Sequence, residues 1–157
     1  MDIYVGQAGF RGDFVRYAQR HSFVELLAEP QRLPAVKKLK EWRKVAPDGF
    51  KFAVVVPPTV LESPQEGALA FVRKVLAAVE ADVVILRTPT SLRPTPNASQ
   101  RLQEMAAGFD GGTATIAWEP RGVWQAHLAM RVAEDGGFLL VQVVNDVRSA
   151  QTAYVRV

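Results

Sequence analysis

The chain contains no cysteine and only two histidines, His21 and His127, in 157 residues. The first absence excludes disulfides, thiolate metal sites and cysteine nucleophiles, and it fits a cytoplasmic location. The second leaves no His-x-x-x-His spacing, so no dedicated zinc site is expected. Long apolar runs are missing too. "ADVVIL" and "GGFLLVQVV" fall far below the ~20 residues that span a bilayer, and "MDIYVGQAG" has no basic segment ahead of an apolar stretch. Neither a membrane span nor an export signal is expected. Nor does a Gly-x-Gly-x-x-Gly follow the first apolar run: Gly6, Gly9 and Gly12 stand at other spacings, which leaves a dinucleotide-binding fold with little support.

What the chain does have is a hydrophobic content of 48% with 22% charged residues, enough for one folded domain, residues 1–157, with its own core. The net charge of +3 permits an anionic partner without naming one. Much of the basic charge sits in "VKKLKEWRK". Wound as a helix, this segment puts Ala35, Leu39, Trp42 and Ala46 on one stripe and spreads Lys37, Lys40 and Lys44 over the other side. No aromatic residue interleaves with the lysines to stack on bases, so a solvated outer face is favoured over a nucleic-acid surface.

Apolar runs alternate with helical stretches along the sequence. The runs are "IYVGQAG", "FVELLAE", "KFAVVVP", "ADVVILRTP", "TATIAWEP", "GFLLVQVVND" and "TAYVRV". Several are nearly all apolar and rich in valine and isoleucine, as strands of a parallel sheet covered on both faces must be. Between them, "ESPQEGALAFVRKVLAAVEA" predicts a helix with Ser63 as N-cap, Pro64 at its first position and Glu66 completing a capping box. Its inner face would carry Leu69, Val72, Leu76 and Val79. "TPNASQRLQEMAAGF" and "WQAHLAMRVAEDGG" follow the same plan, the second stopped by Gly136 and Gly137.

Such alternation means a parallel α/β fold, either a barrel or an open sheet. Polar residues at the ends of several runs decide between them: Glu25 and Glu29, Arg87, Glu119 and Arg121, Asp146 and Arg156. A barrel gathers all its C-terminal strand ends at one mouth, whereas an open sheet scatters them. The expectation is therefore a TIM-barrel-like (β/α) repeat with about seven parallel strands. The period of two puts Phe23, Glu25, Leu27 and Glu29 on one face, with Glu25 the deeper carboxylate. A buried carboxylate needs a cation, and Arg87 or Arg121 is the natural partner.

The motifs "FVELLAEPQRLPAVKKLKEWRKVAPDGFKFAVVVPP", "VVILRTPTSLRP", "WEPRGVW" and "AYVRV" together resemble the YecE-like family of domains of unknown function, which adopt a TIM-type barrel. Glu25, Trp42, Gly49, Phe50, Pro89, Arg93, Glu119, Arg121, Trp124, Tyr154 and Arg156 fall at positions of that family's pattern. Leu27, Glu29, Pro30 and Gln31 stand in place of its Asn and Thr-Phe-Tyr. Val55 replaces its lysine and Arg87 its glutamine. The resemblance implies eight strands where seven are visible, so the barrel is expected to be incomplete, with its open edge covered by a terminal segment, a rearranged strand or a second subunit.

In "IAWEPRGVW", Pro120 forces Glu119 into extended backbone and ends the strand, leaving Arg121 and Trp124 in the loop at the mouth. Glu119 and Arg121 can simply neutralise each other, with Trp124 as a plug. Alternatively, Arg87, Arg121 and Arg156, beside Trp124, bind a phosphate or carboxylate, while Glu25, Glu119 or Asp146 supplies an acid, a base or a magnesium ligand. An anion-binding module and an enzyme acting on a phosphorylated or carboxylated small molecule both stand as readings. Nucleic-acid binding ranks below them. His127 is expected on a helix surface, and Trp42 and Trp118 in the core.

Overall fold

All seven apolar runs become strands in the computed structural model, which describes residues 4–109, 112–143 and 153–156. The strands are β1 (Gly6–Ala8), β2 (Phe23–Leu27), β3 (Lys51–Val56), β4 (Val83–Arg87), β5 (Thr115–Glu119), β6 (Leu139–Val143) and β7 (Tyr154–Arg156). They pair in sequence order, each parallel to the next. The helices are α1 (Phe14–Ala18), α2 (Val36–Val45), α3 (Pro58–Glu62), α4 (Glu66–Val79), α5 (Ala98–Ala107) and α6 (Ala126–Gly136). Among the described residues no helix is long and apolar enough to cross a membrane.

The alternation of side chains along each strand divides the interior in two. Val24, Leu26, Phe52, Val54, Val56, Val84, Leu86 and Trp118 face the helices and merge with Leu39, Val72, Val75 and Leu102 into the larger core. Phe23, Leu27, Ala53, Val55, Ile85, Ala117, Leu139, Val141 and Tyr154 form a second apolar cluster on the opposite face. Each fully buried Val, Leu or Phe here contributes about 1.5–3 kcal/mol.

The second cluster reveals the curvature. β2 and β7 lie five places apart in the sheet, which in a flat sheet means about 24 Å. The rings of Phe23 and Tyr154 nevertheless meet edge to face with centroids 5.7 Å apart. The sheet is therefore curled into a half-barrel, and its inner face is the second cluster.

The start of α4 departs from expectation. Ser63 is not its N-cap; it closes α3, its amide donating to the Thr59 carbonyl, and the chain becomes helical again only after Gln65. Pro58, placed at the N-terminus of α3 after extended Pro57, starts that extra turn and displaces the capping box. The inner face is as expected, with Val72 and Val79 fully buried and Leu69 and Leu76 packed against the core. In α2, Leu39 is buried, whereas Ala35 precedes the helix as an exposed cap and Val36 packs instead. Lys37, Lys40 and Lys44 are exposed. Gly137 caps α6 in the left-handed region.

Candidate functional site

Three charged side chains that the sequence holds far apart come together here, Glu25 from the middle of β2 and Arg87 and Glu119 from the last positions of β4 and β5. Glu25, Arg87 and Glu119 each belong to the inward-facing set of their strand. Arg87 and Glu119 are direct partners in the β4–β5 register. Arg87 Nε donates to Glu119 Oε2 at 2.8 Å, and Arg87 Nη2 lies 3.8 Å from Glu25 Oε1. On the far side of Glu25, Tyr154 Oη donates to Oε2 at 2.6 Å. The result is a connected row across the half-barrel: Tyr154, Glu25, Arg87, Glu119.

Glu25 is only 6% exposed, and the side chains of Arg87 and Glu119 are 20% and 14% exposed. Charges so far from water are tolerated because each is answered by an opposite charge or a hydroxyl donor. Glu119 is thus paired with Arg87. Pro120 carries the chain out of the strand, and Arg121 stands exposed in the following loop. Gly122 turns that loop with φ +94°, and a Cβ there would press on Thr90 at 3.4 Å.

A cavity of about 300 Å³ opens at the same end of the sheet. It is lined by Glu25, Arg87 and Arg32 together with Phe10, Leu27, Leu33 and Trp42. The turn after β1 is fixed by the Gly9 amide, which donates to the Glu25 carbonyl at 2.7 Å while Gly9 takes φ +77°. Arg32 pairs with Glu29 at 3.0 Å, and its side chain is 66% exposed. Glu29 itself lies beyond the end of β2, in the turn, and does not continue the strand face.

Trp42 was expected in the core. It is half-buried, packed on Phe10 and Phe14, and also lines the cavity. Trp118 is fully buried, as expected, and Trp124 packs edge-on against it at 4.8 Å while its Nε1 donates to the Leu92 carbonyl. His127 is exposed on α6. Sequence reasoning missed Arg32, Phe10 and Thr88. Thr88 is completely buried and accepts from Trp118 Nε1 at 3.0 Å. Nothing in "LRTPT" marks it, because its partner lies 30 residues away.

Of the remaining candidates, Asp146 lies outside the described residues. Arg156 ends β7 in register with Val143, and its side chain lies outside the described set as well. Among the described residues no three His, Asp or Glu side chains converge as metal ligands. The guanidinium of Arg87 lies between Glu25 and Glu119.

No protein-family model and no curated protein matches this sequence. Solved structures do match. A DUF72 family protein from Enterococcus faecalis shares 19% identity at TM-score 0.65, over 93% of this chain and 58% of the other. A DUF72 family protein from Thermotoga maritima shares 15% at TM-score 0.65, over 96% and 67%. A xylose isomerase domain protein from Planctomyces limnophilus shares 12% at TM-score 0.53, over 85% and 59%. This chain therefore spans about three fifths of the length of these proteins. DUF72 is the YecE-like family that the sequence resembles. At these identities the likeness establishes a shared TIM-barrel-like fold.

Proposed function

We propose that this chain is a YecE-like barrel module that binds a small molecule carrying a phosphate or carboxylate at the C-terminal mouth of its sheet. The observation that carries the reading is the cavity of about 300 Å³, lined by two arginines, Arg87 and Arg32, together with Phe10, Leu27, Leu33 and Trp42. The volume is at the lower end of small-ligand pockets. Arg87 is already shared by Glu25 and Glu119, so it holds its place and adds donors to the site without a free charge. Arg32 is different. Its pair with Glu29 is exposed and worth about 0–1 kcal/mol, so its guanidinium can turn to an incoming anion at little cost. Arg121, exposed on the loop after β5, offers a further positive charge on the same side of the sheet. Barrel mouths commonly hold phosphate, which agrees with this reading by analogy.

A second reading, acid–base catalysis on such a molecule, is favoured by one contact. Tyr154 Oη and Glu25 Oε2 at 2.6 Å are close enough to pass a proton, and Glu25 borders the cavity.

The test is the thermal unfolding midpoint with sugar phosphates, nucleotides, carboxylates, magnesium and a short oligonucleotide. A ligand at one hundred times its dissociation constant adds ~2.7 kcal/mol, a shift of several degrees. An anion-dependent shift that shrinks in Arg32→Ala supports the module. Turnover of a bound compound that is lost in Glu25→Gln moves the conclusion to the enzyme. A shift with the oligonucleotide alone would replace both.

A further inference from the structure

We infer that Glu29 is an internal competitor for the anion site: in the free protein its carboxylate occupies the guanidinium of Arg32, and a bound anion takes that guanidinium from it. The inference rests on the mouth being an anion site, and it says how that site is held in check.

Two arginines line the cavity, and both are paired in the free protein, but in unlike ways. Arg87 is shared between Glu25 and Glu119 on largely buried side chains. Drawing it out of that row is costly, because it leaves buried charge behind. Arg32 is held at one point, its Nε donating to Glu29 Oε2 at 3.0 Å, and the two side chains are 66% and 28% exposed. The same oxygen accepts from Gln31 Nε2 at 3.1 Å. One oxygen serves two donors, so this is not the two-pronged pairing in which a guanidinium grips a carboxylate most firmly.

The turn does not need the ion pair. The Glu29 amide donates to the Leu27 carbonyl at 2.8 Å and the Arg32 amide to the Glu29 carbonyl at 2.9 Å, so these backbone bonds hold the turn when the side chains part. What the pair does is neutralise in advance the more exposed of the two cavity arginines. A phosphate that approaches Arg32 meets a guanidinium already answered and a carboxylate that repels it. Binding exchanges one anion for another at Arg32, and the affinity is lower by what the exposed pair contributes.

Calorimetric titration with inorganic phosphate, at one pH and one ionic strength, tests this on the wild type, Glu29→Gln, Arg32→Ala and the double variant. Glu29→Gln keeps the size of the side chain and an oxygen for Gln31, and removes only the charge. It should bind phosphate about two- to fivefold tighter than the wild type, the factor that an exposed pair of this kind supplies. In the Arg32→Ala background the same substitution should lose most of that gain, because no guanidinium remains to be released. A gain of equal size with and without Arg32 would overturn the inference and leave Glu29 as a general negative charge near the mouth. Unchanged binding by Glu29→Gln would overturn it as well, and weaker binding would overturn it by making Glu29 the residue that positions Arg32. In each of these cases phosphate still binds and the anion site stands. Absence of binding by both the wild type and Glu29→Gln would overturn the site itself and the inference with it.

Discussion

Tyr154 and Glu25 are joined by a 2.6 Å hydrogen bond although their strands stand five places apart in the sheet. This contact, with the ring of Phe23 against Tyr154, links β7 to β2 across the inside of the half-barrel. Its donor is neutral and its acceptor a carboxylate, a class worth about 1.5–3 kcal/mol. Tyr154→Phe keeps the ring contact and removes only the hydroxyl. The expected outcome is a loss of stability in that range, read as a lower denaturant midpoint with an unchanged slope. An unaltered midpoint would mean that the contact does not hold β7 in solution.

Arg87 is the centre of the charged row, since it contacts both carboxylates. Replacing it by Met keeps the length but removes the cation that both carboxylates contact, at an expected cost of about 3–5 kcal/mol. The triple variant Glu25→Gln, Arg87→Met, Glu119→Gln removes all three charges of the row together and should recover much of that loss. Recovery measured by chemical denaturation would show that the row is retained for its chemistry more than for stability. A triple variant as unstable as Arg87→Met alone would count against the pairing.

The strands were legible because parallel strands covered on both faces read as unbroken Val and Ile runs, as in "KFAVVV" and "VVIL". The depth of Glu25 was legible from the period of two. Its partner was legible only as a pair of alternatives. Arg87 and Glu119 become neighbours through strand register, a property of the assembled sheet that neither segment carries. Local chemistry near Glu119 pointed to Arg121, two residues on, but Pro120 turns the chain away and leaves that arginine exposed. The false capping box at Ser63 has the same origin. Its sequence is right for a helix start, yet α3 reaches it first.

Thr88 shows a residue type whose role depends wholly on burial. Its hydroxyl sits in the core under Trp118 Nε1, at 3.0 Å. Thr88→Val preserves shape and leaves a buried indole N–H without its acceptor, at about 1–3 kcal/mol. Thr88→Ser restores the hydroxyl but loses a methyl group, so it should be the milder of the two. Equal destabilisation by both would assign the role to packing and not to the hydrogen bond. The unfolding midpoints of the two variants decide it.

Among the described residues, two groups have pKa values raised above their ordinary range, Tyr17 and Lys51. Burial raises the hydroxyl pKa of Tyr17, opposed in part by the Gln7 amide that donates to it; the hydroxyl also donates to the Phe23 carbonyl and so ties α1 to β1 and β2. Lys51 is raised first by its hydrogen bond to Asp82 at 2.8 Å, with burial working against it. A group whose pKa is higher when folded binds its proton more tightly in that state. Its contribution is complete below the unfolded value and disappears as pH climbs through the folded one. For a tyrosine and a lysine that window opens at about pH 10 and above. Lys51 is about a third exposed, so solvent screening weakens its share and Tyr17 should dominate. The unfolding midpoint should therefore fall steeply above about pH 10 in the wild type. Tyr17→Phe should start lower, by about 1 kcal/mol for the lost hydrogen bonding, yet decline less over the same alkaline range. If its decline matched that of the wild type, ionisation of Tyr17 would not be the event that loosens the first strands.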